Sequence, residues 1–65
     1  MKMIDTMVVD STGRKYPILI NTTYVKYVKP VEKSDVSLYE DGARTFVHMT
    51  DGELFVTTKL IQDFF

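Results

Sequence analysis

The chain has 65 residues, room for one small domain and none for the insertions that usually wall an enzyme's active site. With no Cys and a single His, disulfide stapling, thiolate metal sites and a His-rich metal centre are excluded, and no cofactor is expected. The formal charge of -1 provides no global field toward nucleic acid or an anionic membrane.

The longest strictly apolar runs, such as Ile18-Leu19-Ile20, fall far below the roughly 20 residues that cross a bilayer, so no membrane insertion is expected. Asp5 and Asp10 interrupt the opening segment and deny it the apolar stretch of an export signal. The expected compartment is the cytoplasm. At 45% apolar content, with four Tyr and four Phe, the chain has ample material for a core and is not a disordered segment. A domain this small nevertheless buries only about 60% of its unfolded surface, so dense packing or association with another chain must complete it.

All three glycines follow a short polar residue, at Thr12-Gly13, Asp41-Gly42 and Asp51-Gly52, where a positive φ can close a tight turn. Between them apolar residues recur mainly at every second position, the period of a strand. The first strand, about Met3 to Asp10, is expected to turn Ile4 and Val8 inward and to leave Met7 and Val9 at a semi-exposed or intermolecular surface. The second, Lys15 to Ile20, alternates Tyr16, Ile18 and Ile20 with Lys15, Pro17 and Leu19. Because Pro17 cannot donate a ladder hydrogen bond, this strand belongs at an edge.

Asn21-Thr22-Thr23 reads as a capped single turn, since the Asn or Thr oxygen can accept free backbone N–H groups. In Tyr24 to Pro30 the spacing of Val25 and Val28 competes with a strand reading, but Pro30 and the β-branched content favour a short turn passing into a strand. Val36 and Leu38 alternate with Ser37 and Tyr39, which predicts a further strand before Asp41-Gly42. Thr45 to Met49 and Leu54 to Thr57 flank Asp51-Gly52, the strongest hairpin signal in the chain. Thr57 or Thr58 is expected to cap a short helix over Lys59 to Phe65, with Leu60, Ile61 and Phe64 on one side. The fold class is therefore mainly β: a small antiparallel four- or five-stranded meander or partial barrel with a short C-terminal helix, in one domain spanning 1–65.

Gly13, the apolar strand ending at Asn21, then Val25 and Val28, the Asp51-Gly52 hairpin and the terminal amphipathic segment together resemble the small FlbD-type proteins of bacterial flagellar and swarming operons. More loosely, they resemble the β-rich half of LytTR-type DNA-binding domains. The FlbD resemblance implies a non-catalytic bacterial cytoplasmic accessory protein, and Val36 to Arg44 would add a hairpin to that pattern.

The residues themselves offer little for catalysis. His48 can be drawn beside Ser37 or Thr57, but no nucleophile elbow or glycine-rich oxyanion loop accompanies it. The acid pairs Glu40-Asp41 and Asp51 with Glu53 sit at turns, where solvated carboxylates are ordinary, and His48, Asp51 and Glu53 are too few for a hard-cation site.

Two binding surfaces remain. The favoured one is apolar: Met7, Phe64 and Phe65 are candidate partner-binding residues. A helix can turn only one of two consecutive Phe inward, and Met3, Met7 and Met49 supply adaptable contact surface. Unpaired edge strands would add to it. The expected partners are a second copy and another protein. The other surface, Tyr24, Lys26, Tyr27 and Lys29, interleaves aromatic rings with lysines and suits an anionic small molecule or nucleic acid.

Overall fold

The computed structural model describes residues 2–65, which form one five-stranded antiparallel sheet in the order β2-β1-β5-β4-β3. The strands are β1 (Met3–Val9), β2 (Lys15–Asn21), β3 (Val25–Pro30), β4 (Thr45–Met49) and β5 (Leu54–Thr57). β1 and β2 form a hairpin, β3 to β5 a meander, and Val8 opposite Thr57 joins the two pieces.

The edge strands β2 and β3 are consecutive in sequence, linked only by the single 3-10 turn η1 (Thr22–Tyr24). Five flat strands would hold their edges about 19 Å apart, whereas the four steps from Asn21 to Val25 reach at most about 14 Å. The open sheet must therefore curl until its edges approach at this corner. Asn21 shapes the corner by accepting the Thr23 N–H on its side-chain oxygen at 3.0 Å, as its position in the sequence suggests.

Both hairpin loops use one device. Gly13 N–H donates to Asp10 carbonyl and Gly52 N–H to Met49 carbonyl, while Asp10 N–H reaches Arg14 and Met49 N–H reaches Glu53. Each is a turn closed by a glycine at positive φ, +83° and +93°, the three-residue loop with a bulge that restores strand twist. Asp10 reinforces the first loop by accepting from Thr12 Oγ1 at 2.6 Å and from the Thr12 and Arg14 N–H groups at 2.9 and 3.0 Å.

The Thr12 hydroxyl foremost, joined by the two N–H groups, outweighs the opposing effect of desolvation and holds the Asp10 carboxyl below the usual carboxylate range. A depressed folded-state pKa contributes stability above the unfolded value of about 3.9, and that contribution is lost as pH falls through the folded value. Asp10→Asn is accordingly expected to unfold at lower denaturant than the parent at pH 7. The two midpoints should converge as pH falls below the folded-state value of Asp10, read by circular dichroism.

Two cores result. Ile4, Ile20, Val47 and Phe64 pack inside the curl with Ile18, Val25, Val28, Met49 and Phe55 around them. Val9, Val31 and Ala43 form a second cluster with Leu38, Tyr39, Phe46 and Val56, so the sheet is covered locally on its outer face as well. The cover is α1 (Val36–Glu40), where the sequence pattern predicts a strand and an added hairpin.

Alternation over four residues does not separate strand from helix. The deciding feature lies after it: Gly42, at φ +93°, donates to Tyr39 carbonyl and Ala43 to Leu38 carbonyl, the paired bonds that terminate a helix at a left-handed glycine. Arg44 then clamps the helix end, donating from one guanidinium nitrogen to the Tyr39 and Ala43 carbonyls, with its guanidinium carbon 3.8 Å from the centre of the Tyr39 ring.

α1 and its flanks also overturn the expectation for Val9, which is 3% exposed. Val9 shares its side of β1 with Met7, but the second cluster closes over it while Met7 stays open. Tyr16, which alternates in phase with Ile18 and Ile20, lies exposed on the edge strand close to the hairpin tip.

The C-terminal segment is a single 3-10 turn, η2 (Ile61–Phe64), and neither Thr57 nor Thr58 caps it. Thr57 is instead fully buried at the end of β5, its hydroxyl on the Thr45 carbonyl at 3.3 Å. Thr45 in turn donates to the Lys59 carbonyl at 2.6 Å and pins the approach to η2. The Leu60 N–H finds the Asp63 carboxylate at 3.3 Å.

Candidate functional surfaces

The structure separates the two candidate partner phenylalanines. Phe64 is 8% exposed and belongs to the inner core, whereas Phe65, the next residue, is 85% exposed. Phe64 is thus no surface anchor; it holds η2 against the sheet. Met7, the third candidate, is 37% exposed and stands on a different surface from Phe65.

That surface is the outer face of the β1-β2 hairpin. The register places Met3 opposite Asn21, Asp5 opposite Leu19 and Met7 opposite Pro17. Side chains of directly opposed residues share a face. Met3, Met7, Pro17 and Leu19 therefore surround Asp5 on one face, and Leu60 extends the patch by lining a shallow depression with Met7 and Pro17. Leu19 is 61% exposed. Asp5, Lys59 and Asp63 also line the depression, so its charges are of both signs. Alternation within β2 alone does not mark Leu19 as part of a patch; its neighbours emerge only from the β1-β2 register.

The edges themselves are poor templates for strand addition. Asp10 N–H donates to Arg14 carbonyl, so alternation along the hairpin places Pro17 in a pair whose backbone polar groups face away from β1. The donor that proline lacks is one that the free edge would otherwise present. β3 repeats the arrangement: Met49 N–H donates to Glu53 carbonyl, which directs Phe46 and His48 toward β3 and leaves Val28 and Pro30 facing outward. Pro30 deletes a donor there. A prolyl residue and, on β3, flanking lysines are devices that discourage edge-to-edge pairing.

The Tyr/Lys candidates are partly brought together. The pairing of β3 with β4 shifts between Val25 and Tyr27, leaving Lys26 as a bulged extra residue. The bulge explains why Val25 and Val28, three apart, both face the core in a strand. Tyr27 stacks on His48, ring centroids 4.2 Å apart and planes 19° apart, and the Lys29 ammonium lies 5.5 Å from the Tyr27 ring centre. Tyr24 lies in η1, exposed.

With His48 and Lys29 against it, the Tyr27 ring is already engaged and is a poor platform for stacking a base. His48 is engaged by the same stack, and the Thr57 hydroxyl is buried on the Thr45 carbonyl. Ser37 sits on α1. Asp51 accepts the Glu53 N–H at 2.9 Å within its turn. Among the described residues, no group of three His, Asp or Glu side chains converges as metal ligands, and no helix is long and apolar enough to cross a membrane.

Comparison of the chain with protein-family models, with curated proteins and with solved structures finds no match.

Proposed function

We propose that this protein is a non-catalytic binding module that acts by protein-protein association through the outer face of the β1-β2 hairpin, a second copy of the chain being its first partner. The observation that carries this reading is Leu19, 61% exposed, sharing one face with Met3, Met7 and Pro17 around Asp5. Adaptable Met side chains suit such a contact.

Blunted edges favour docking by this face over strand addition. The mixed charges of Asp5, Lys59 and Asp63 favour a partner carrying the same mixture, which a second copy supplies in a two-fold contact. The resemblance to FlbD-type accessory proteins is in keeping with a module that works by contact alone.

Sedimentation velocity over a concentration series tests it. The parent is expected to pass from monomer to dimer, and Leu19→Lys to remain monomeric with an unchanged circular dichroism spectrum. A parent that stays monomeric throughout, or a Leu19→Lys variant that dimerises equally well, would refute the proposal.

A further inference from the structure

Beside the free edge of β3, where η2 packs, lies a groove of about 410 Å³ lined by Thr22, Val25, Lys26, Tyr27, Val28, Phe64 and Phe65. Its volume falls in the range of small-molecule sites, roughly 300–1,000 Å³. Val25, Val28 and Phe64 are also members of the inner core, so the groove is floored by side chains whose positions packing fixes. Phe65 stands beside them with 85% of its surface free, and the Lys2 ammonium holds its backbone carbonyl at 3.2 Å.

The charged side chains among the described lining of this groove are of one sign. Among the described residues no acidic side chain lines it, in contrast to the depression on the β1-β2 hairpin, which carries Asp5 and Asp63. Among the described residues that line it, Lys26 is the one cation, exposed and set at the bulge where the strand bends. The ladder alternation that turns Pro30 outward also turns the Val28 N–H outward, away from β4. One ammonium and one backbone donor thus border an apolar floor. Two donors match the two oxygens of a monoanionic head, and the apolar floor matches a hydrocarbon body.

We propose that this groove binds a small amphipathic carboxylate. The head accepts hydrogen bonds from Lys26 Nζ and the Val28 N–H, and the apolar body lies along Val25, Val28 and Phe64 with the Phe65 ring against it. This places an anion site on β3, as the Tyr/Lys pattern in the sequence suggests, but moves it from the ring of Tyr27 to the groove beside it. Lys26 is the member of that pattern that carries the charge; Lys29 lies against the Tyr27 ring instead.

The test is a titration of the ¹⁵N-labelled full chain with octanoate, with octanol and inorganic phosphate as probes of the body and the head alone. Octanoate is expected to give saturable shifts of the Lys26, Val28 and Phe65 amides, with both half-probes weaker by about tenfold or more. Lys26→Glu is expected to weaken octanoate by about tenfold or more, and Lys26→Gln by less. Its otherwise unchanged spectrum would establish that the fold persists. Absence of saturable shifts, shifts centred on Met7 and Leu19, or equal affinity in Lys26→Glu would overturn the assignment. Leu19→Lys should bind octanoate as the parent does, which keeps this site independent of the association face.

Discussion

Phe64→Ala is expected to remove a large share of the protein's stability and to unfold at far lower urea than the parent. Truncating a buried Phe costs about 3–5 kcal/mol, from lost transfer energy and the cavity left behind. A domain of this length has a total stability of only ~3–10 kcal/mol by the usual per-residue scale. Phe64 sits with Ile4, Ile20 and Val47 in the inner core and is the one buried residue of η2. Its ring comes from a segment outside the sheet and fills the curl, so no neighbouring strand can collapse into the space.

The adjacent residue provides the control. Phe65→Ala removes a ring that is almost wholly in solvent and is expected to shift the denaturation midpoint by less than about 0.5 kcal/mol. Urea unfolding of the two variants, followed by circular dichroism, separates them. Equal midpoints would mean that Phe64 does not hold the inner core together. If both variants instead lost dimerisation while remaining folded, the two rings would be acting jointly as a contact surface.

The contrast between these neighbours also shows what the chain reveals before it is folded. That only one of two consecutive Phe can turn inward follows from backbone geometry, and the pair at 64 and 65 obeys it. Which one is buried depends on how η2 meets β3, a long-range fact absent from local spacing. The five strands, the Asp51-Gly52 hairpin, the Asn21 corner and the edge position of Pro17 were all legible, because each rests on a local rule: alternation, positive φ, side-chain capping or a missing donor.

Val36 to Glu40 was misread for a related reason. Alternation over four residues fits a strand as well as one helical turn, and Asp41-Gly42 can close a hairpin or end a helix. Only the bonds of Gly42 to Tyr39 and Ala43 to Leu38 distinguish the two. The spacing of Val25 and Val28 carried real information whose meaning was hidden. A three-residue interval in a strand signals a bulge as readily as it signals a helix, and here the bulge at Lys26 is what sets a cation beside an apolar groove. The Tyr27–His48 stack required the register of β3 on β4 after that bulge, which no single segment encodes.

Val9→Lys and Met7→Lys, two substitutions on one side of one strand, are expected to differ by more than about 3 kcal/mol in stability. Alternation alone treats positions 7 and 9 alike, and the sequence places both at a semi-exposed surface. In the folded chain Val9 is enclosed by Val31 and Ala43, with Leu38, Tyr39, Phe46 and Val56 around the cluster. A lysine there replaces one apolar side chain among others and must either lose its proton or displace α1 from the sheet.

Met7 lies open beside Pro17 and Leu60, and a lysine at that position keeps its charge in water while its stem covers the same surface. At a concentration where the parent is monomeric, Met7→Lys should therefore retain the parent's urea midpoint, and under the proposed association it should fail to dimerise on concentration, whereas Val9→Lys should unfold at much lower urea. The Ala43 and Phe46 amides of any Val9→Lys protein still folded should exchange with solvent faster than those of Ile4 and Ile20, because the outer cluster opens before the inner one. Equal midpoints for the two variants would mean that α1 does not cover the end of β1, and the two-core description of the sheet would fail with it.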